Sequence, residues 1–541
     1  MTSPPVADAN EAAAALALTY HMRSRHAPYA YARSLQYMDW ETQPDPFRRY
    51  VGAPVVLLDP HPDAHGPSYD AVVDGALSAP ASLDWDSVSR LFFHSLALSA
   101  WKEAGDARWA LRVNPSSGNL HPTEAYLVCG AIKNLSDTPA MYHYSALTHG
   151  LERRAELPAE PWRRIAGDLP AGAFLIGLTS IPVRESWKYG ERAFRYCQHD
   201  LGHAIACVSL AAAALGWAVR VLDSVPEAAV GALLGVATQS GFEAELPEAL
   251  VVVYPANLSF PLAQWRHFRV PLLPELVWSG VPSPLANEHH PWPVIGEVAE
   301  ATRRRAPALE FVDPPARADT GVRRPASLGA LVRQRRSAVD MDGKTYMSRE
   351  AFLRTLRRLL PGGAPFSAFP WTPAIHPFFF VHRVEGLTSG LYALLRGSIE
   401  PAAFDIAAEW AQVEPELPFY RLRSGDLRGL SQSVSCGQTI AGEGAFAVSM
   451  LCDLEAGLAR NGAAFYRRAH WEAGAIGQLL YLESESDGLR GTGIGCFYDE
   501  DTHRALGLPQ SSAWRTLYHF TVGGPVEDAR LRTVEPYGHL G

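Results

Sequence analysis

The 541 residues exceed what one ordinary hydrophobic core can fill, so two domains of similar size are expected. Apolar residues at 47% and charged ones at 19% describe a globular chain. A formal charge of −9 argues against a nucleic-acid backbone or an anionic membrane surface as the main partner. Six cysteines are scattered with no C-x-x-C pair, which speaks against a disulfide framework or a metal site and for a reducing cytoplasm.

The first fifteen residues are Ala- and Pro-rich and acidic rather than basic, a poor signal peptide. From Tyr20 to Tyr50 the chain turns aromatic and basic, either an arm packed over a domain face or a wall of a substrate groove. Residues 51–89 then contain no Lys or Arg. Helical signals run over 86–103, a loop rich in Pro, Ser, Gly and Asn follows at 114–122, and strands are expected near 126–132, 141–144, 174–179 and 250–254. Lys188 to Trp217 reads as one long helix whose apolar second half must be buried. That apolar run, 205–219, is shorter than a membrane span and follows His199, Asp200 and His203, which read as packed side chains rather than ligands. Residues 276–325 hold eight prolines and an Arg303-Arg304-Arg305 run without sustained periodicity. The expected organisation is an N-terminal arm over 1–85, a first domain over 86–275, a connection over 276–325 and a second domain over 326–535.

The loop Asn114-Pro115-Ser116-Ser117-Gly118-Asn119-Leu120-His121-Pro122-Thr123-Glu124-Ala125-Tyr126 precedes an apolar run. Its prolines fix φ, its glycine permits unusual φ, and its hydroxyls, amide and backbone N–H groups suit a flat polar ligand. By composition alone it is also an ordinary turn into a strand. The motif resembles the signature of the nitroreductase-like flavoproteins, and most closely their SagB-type dehydrogenase branch, which includes azoline oxidases of thiazole/oxazole-modified peptide pathways. The resemblance implies an α+β fold and bound FMN.

The chain also resembles itself. Asp200-Leu201-Gly202 and Glu472-Ala473-Gly474 lie 272 positions apart, as do Gly216 and Gly488, and Leu234-Gly235 and Leu506-Gly507. His121-Pro122 and His376-Pro377 lie 255 apart, each leading into an apolar strand. A tandem duplication follows. Nitroreductase-like proteins are dimers with FMN at the interface, so the resemblance implies two tandem domains forming an intrachain pseudo-dimer, a pseudo-dimeric monomer that can dimerise further.

In the second domain, Arg335-Arg336-Ser337 resembles the family element that grips the FMN phosphate and ribityl chain, a task suited to guanidinium forks. Val339 stands where a third basic residue is often found, and Arg530, with Arg532 as alternative, occupies the place of a C-terminal phosphate ligand. Gly491-Thr492-Gly493-Ile494-Gly495 resembles the segment beside the flavin edge, with Gly493, Ile494 and Gly495 as cofactor contacts; a plain glycine turn is the other reading. The first domain has Ala81-Ser82-Leu83-Asp84 opposite Ser337, inside its Lys/Arg-free stretch. The second has Trp371-Thr372-Pro373-Ala374-Ile375 where the Ser-Ser-Gly-Asn loop should be. Each half keeps what the other lost. One FMN per chain is expected, bound by Pro115, Ser116, Ser117 and Asn119 from the first half and Arg335, Arg336, Ser337 and Arg530 from the second.

Lys188-Tyr189 matches a Lys-Tyr pair that SagB-type oxidases use for proton transfer, whereas the second half has Arg460-Asn461 there. A salt link and a packed aromatic are the plainer reading of the pair. The implied reaction removes a hydride from a substrate carbon to the flavin while Lys188 or Tyr189 takes the neighbouring proton, turning a peptide azoline into an azole with O2 as acceptor. An NAD(P)H-dependent reductase of small electrophiles and a non-catalytic peptide- or partner-binding protein are the competing readings. Expected partners are a peptide or small-molecule substrate and a cyclodehydratase-type biosynthetic complex.

Overall fold

Two seven-stranded antiparallel sheets that share the order of six of their strands dominate the computed structural model, which describes residues 6–62, 66–76, 79–273, 275–305, 312–313, 315, 317, 320–322 and 324–540. The first five residues of the expected arm and most of 306–319 in the expected connection lie outside the described residues. From edge to edge, one sheet runs Val55–Leu57, Gly150–Glu156, Ala140–Ser145, Thr123–Cys129, Phe174–Ser180, Leu246–Pro255 and Trp217–Val221. The other runs Ala411–Gln412, Phe419–Ser424, Gly390–Leu394, His376–Val381, Phe446–Asp453, Trp514–Gly523 and Arg490–Ile494. The last six strands of each order correspond in chain sequence, as a duplication requires, whereas the first edge strands differ: Val55–Leu57 comes from the segment ahead of the first repeat and Ala411–Gln412 from within the second. The inner strands Thr123–Cys129, Phe174–Ser180 and His376–Val381 are buried at every residue. That is why they read as continuous apolar runs rather than as alternation.

The chain divides into two compact units. The earlier unit comprises Ser34–Gln334, Gly362–Trp371 and Leu531–Gly541, and the later one Met1–Arg33, Arg335–Pro361 and Thr372–Arg530.

In the earlier unit the helix Trp85–Phe93 opens on a capping box. Ser87 N donates to Asp84 Oδ1 and Asp84 N to Ser87 Oγ, both at 3.0 Å. It ends well before the 103 expected from the sequence. Leu98–Ala104 is instead a strand paired with Ala107–Arg112 around Gly105-Asp106, a two-residue hairpin signal that outweighs the helical pattern. The C-terminal strand Arg532–Val534 adds to Leu98–Ala104, and the buried Tyr537 hydroxyl donates to Ala146 O at 3.0 Å. The single helix expected over 188–217 is also corrected. Gly190, at φ 54°, ψ −131°, breaks the chain between Pro182–Tyr189 and Ala193–Ala214, a backbone that a residue with a Cβ rarely adopts. The second of these helices is buried from Ala193 to Ala212. The expected connection also carries structure: Val281–Pro282 pairs with Tyr50–Val51, and Pro293–Ala301 is a helix.

The later unit is built around the helix Phe465–Ser486, buried from Phe465 to Ser484. Its buried acids are matched: Arg358 Nη1 donates to Glu483 Oε1 at 2.9 Å, and Arg396 Nη1 binds Glu472 Oε1. The N-terminal helix Val6–Arg23 packs here, with the Tyr20 and His21 rings 6.1 and 6.0 Å from Tyr466. This part of the aromatic-basic stretch is a packing arm. Cys436 and Cys496 form a disulfide across 60 residues, one bond that the expectation against a disulfide framework did not contain. The pair carries no sequence motif because the fold, through the left-handed Cys436 (φ 56°) and the end of strand Arg490–Ile494, brings the two together. Among the described residues, no helix is long and apolar enough to cross a membrane.

Candidate functional site

The loop after strand Ala107–Arg112 holds an uncommon backbone. Gly118, Asn119 and His121 all have positive φ, at 61°, 60° and 53°. Only glycine takes this region freely, so the surroundings must hold the other two there. They do so through the very side chains that the sequence singles out. Asn119 Nδ2 donates to Ala110 O at 2.8 Å, and His121 N donates to Ser116 Oγ at 2.8 Å. Ser117 N and Ser117 Oγ both donate to Asp200 Oδ1 at 3.0 Å, and Pro115 is buried at the loop's start. The two serines and the amide thus fix the loop's shape before they serve any ligand.

Asp200 has a counterpart 272 positions on. In the later unit Glu472 accepts from Ala374 N at 2.9 Å and from Ile375 N at 3.3 Å, ahead of strand His376–Val381. In both units an acid on the long helix anchors the loop that enters the central strand. The anchor survived the duplication, whereas Ser116, Ser117 and Asn119 have no equivalents around Ala374. The two segments aligned by sequence also share a setting. Ala81 O accepts from Trp217 Nε1 at 3.0 Å, and Ala338 O accepts from Thr492 Oγ1 at 2.7 Å, each beside the strand that follows its long helix.

Lys188 and Tyr189 stand at the C-terminal end of helix Pro182–Tyr189, not at the start of the long helix. Tyr189 turns back over the loop: a Cβ on Gly118 would lie 2.5 Å from its hydroxyl. Its ring is 4.4 Å from that of Tyr196, and Lys188 Nζ lies 5.4 Å from the Tyr189 centroid. One turn earlier on the same helix, Glu185 is fully buried. Among the described residues neither of its carboxylate oxygens meets a partner at full hydrogen-bond geometry, with the Ser116 hydroxyl facing it. Burial, then the neighbouring Asp200 charge, push the Glu185 carboxyl well above the usual carboxylate range. Burial raises Asp200 to about 7 despite its bonds to Ser117. Tyr189 is pushed up by burial and by the Glu185, Tyr196 and Asp200 groups around it. Sequence reasoning missed Glu185 as a site residue. Its signal is the i, i+3, i+4 spacing of Glu185, Lys188 and Tyr189, which puts all three on one side of a helix.

In the later unit the expected elements converge on Tyr481 of the long helix. Its hydroxyl lies 2.9 Å from Ser337 Oγ and accepts from Gly493 N at 3.0 Å, while the Arg335 guanidinium sits 4.9 Å from the ring centroid. Residues more than 150 positions apart thus share one anchor that the sequence reading did not contain. Arg335 is buried and Arg336 half-buried, with Arg336 Nη1 donating to Arg335 O at 2.7 Å. Burial raises the nearby Glu485 carboxyl, against the pull of Arg490 and Arg335. Gly493 stands where a Cβ would run into the Tyr518 hydroxyl, so only glycine fits. Ile494 is buried, and Gly495 follows the strand. Arg530 lies apart from this cluster, exposed and paired with Asp528 at 2.7 Å. Arg532 pairs with Glu103 at 3.2 Å in the earlier unit. His199 and His203 are buried, and Gln438 Nε2 is held by Ser435 O at 2.9 Å.

Two guanidinium groups and a hydroxyl at one end of a long helix, beside a glycine strand, form a donor set that fits a phosphomonoester and its polyol chain.

The Nitroreductase family model matches residues 102–250 and 390–524, more than half of the chain and one region in each sheet, so the chain belongs to the nitroreductase family. Its two tandem nitroreductase-like domains each contribute one sheet. A crystal structure from Anabaena variabilis, assigned to the nitroreductases, is similar over 94% of this chain and 99% of its own, at 23% identity and a TM-score of 0.69. A structure of the Escherichia coli microcin synthetase McbBCD complex with truncated pro-MccB17 bound is similar over 36% of this chain and 70% of its own, at 19% identity and a TM-score of 0.28. A protein from Ralstonia eutropha, also assigned to the nitroreductases, is similar over 40% of this chain and 91% of its own, at 15% identity and a TM-score of 0.28. No curated protein matches the sequence.

Proposed function

We propose that this oxidoreductase is an FMN-dependent dehydrogenase of the SagB type that oxidises azoline rings in a ribosomal peptide precursor to azoles, with O2 as the final acceptor. One FMN per chain would be held by Arg335, Arg336, Ser337, Gly493, Ile494 and Gly495 together with Pro115, Ser116, Ser117 and Asn119; the expected Arg530, exposed and paired with Asp528, drops out of this set. The observation that carries the reading is the division of labour between the two repeats. The Ser116-Ser117 pair at a strained loop belongs to one, and Arg335, gathered with Ser337 and Gly493 around Tyr481 and followed by Arg336, belongs to the other.

Bound FMN supplies the two-electron redox chemistry. The chain's own residues hold the cofactor and the loop, and Lys188 or Tyr189 accepts the proton that leaves the ring atom beside the oxidised carbon. Tyr189 lies on the loop through Gly118 and beside Glu185 and Asp200, and as a neutral phenol it would take the proton only while passing its own on.

The purified protein should be yellow, with one FMN per chain, and should stay oxidised with NAD(P)H but react with an azoline-containing peptide. Two flavins per chain would refute the single-site assignment. Rapid bleaching by NAD(P)H alone would instead point to a reductase of small electrophiles. Lys188→Ala should keep its flavin and lose turnover, and Arg335→Gln should lose flavin.

A further inference from the structure

Resting on that reading of Lys188 and Tyr189, we propose that Glu185 and Asp200 form an acid–carboxylate pair that shares one proton and carries away the proton released by the substrate.

Two buried carboxyl groups lie close enough here to feel each other's charge, Glu185 from helix Pro182–Tyr189 and Asp200, bonded to the Ser116-Ser117-Gly118 loop, from helix Ala193–Ala214. Both are buried, yet they are provided for unequally. Asp200 receives the Ser117 N–H and the Ser117 hydroxyl. Neither Glu185 oxygen meets a donor at full hydrogen-bond geometry among the described residues, and the one hydroxyl facing it, that of Ser116, also faces Asp200. An ionised carboxylate poor in donors in a dry site is strongly disfavoured, because burial strips its hydration without replacing it. A neutral carboxyl costs far less. Like charges in one pocket cannot both persist, so the negative charge resides on the group with donors and the proton on the group poor in them. The resting pair is Glu185 protonated and Asp200 ionised.

This arrangement suits a relay. Glu185 stands i−4 from Tyr189 and i−3 from Lys188, so a proton accepted by either meets Glu185 next. A carboxylic acid can take a proton on its carbonyl oxygen and release its own from the other oxygen. The released proton goes to Asp200, which becomes neutral. The sum is one proton moved from substrate to Asp200, with Glu185 unchanged, and later lost from Asp200 to solvent. The titratable groups facing Glu185 are Lys188 and Tyr189 on its own helix and Tyr196, Cys197 and Asp200 on the long helix. Asp200 changes charge at about 7, so the sink is open above that pH and filled below it.

Infrared spectroscopy of the purified protein slightly above neutral pH tests the pair directly. A carbonyl stretch of a buried carboxylic acid should be present, shift with carbon-13 glutamate labelling and be missing in Glu185→Gln. Labelling assigns the band to a glutamate, and its persistence in Glu485→Gln, the other raised glutamate, assigns it to Glu185 even where Glu185→Gln folds poorly. No such band, or one that labelled aspartate shifts instead, overturns the pair. Turnover tests the relay. The wild-type maximal rate should fall as pH drops through about 7. Glu185→Gln should lose roughly tenfold or more, within the range removed with a proton-transfer group, while keeping flavin and KM. It should also lose the pH limb. Glu185→Gln turning over with the wild-type pH profile overturns the relay. A wild-type chain that binds no flavin defeats the functional reading instead, and the infrared band still decides the pair.

Discussion

The Tyr189 hydroxyl rests on Gly118 so closely that a methyl group there would fall 2.5 Å from it, with the ring carbon Cε2 at 3.1 Å. Gly118 itself is left-handed, at φ 61°. Gly118→Ala therefore meets two penalties: a backbone strain of about 1–2 kcal/mol and the displacement of Tyr189. The variant should unfold slightly earlier and lose turnover more than stability. In Tyr189→Phe the nearest atom is gone, so adding Gly118→Ala to it should cost less than adding it to the wild type. Unfolding midpoints of the four chains measure this coupling, and strict additivity would refute the contact.

The Glu472 carboxylate sits where two demands meet, the Arg396 guanidinium and the Ala374 and Ile375 N–H groups. Removing one partner of a buried pair leaves the other charge unmatched, at about 3–5 kcal/mol. Glu472→Ala should lower the denaturant midpoint of the later unit sharply. Glu472→Gln, which keeps an acceptor for the N–H groups, should cost less. A surface control such as Asp528→Ala, whose carboxylate holds only the exposed Arg530, should change almost nothing. Equal effects at both sites would contradict the buried assignment.

The sequence showed the duplication because the glycines and acids that anchor it are tied to backbone geometry. Gly216 and Gly488 are both left-handed, and Gly235 and Gly507 both end helices at positive φ. The Pro-Ser-Ser loop was legible for the same reason. What sequence did not show was contact between distant residues. Tyr481 is an ordinary aromatic on an apolar helix until the fold carries Ser337 and Gly493 to its hydroxyl. The Cys436–Cys496 pairing is likewise set by tertiary proximity. Helix boundaries failed where a local signal competed with periodicity, at the Gly105-Asp106 turn and at Gly190.

Stability of the earlier unit should fall on the alkaline side. The His143 ring lies 2.9 Å from Glu152 and 3.1 Å from Glu124, fully buried. Burial alone would lower its pKa, but the two carboxylates overcome this and hold it at about 9. A folded-state pKa above the unfolded one means that the charged ring stabilises fully below about 6.5 and that this contribution fades as pH rises through about 9. The loss is on the order of 3 kcal/mol by the usual conversion of a pKa shift into free energy. His143→Gln should be less stable at neutral pH and show a flatter profile between those limits. A wild-type unfolding midpoint constant over that window would overturn the assignment of a protonated ring.

The Cys436–Cys496 bond closes a loop of 60 residues in the later unit. Closing a loop of that length in the unfolded chain stabilises the fold by up to about 4 kcal/mol on the chain-entropy account. Reductant should therefore lower the unfolding midpoint of the wild type to that of Cys436→Ser/Cys496→Ser, and leave the double variant unmoved. Thiol counting supplies a second, independent reading. The remaining cysteines, Cys129, Cys197, Cys207 and Cys452, are free and buried. None should react in the native protein, and four thiols should appear when the unreduced chain is denatured. Six reactive thiols in the unreduced, denatured chain would refute the bond, and a reductant-sensitive midpoint in the double variant would place the effect elsewhere.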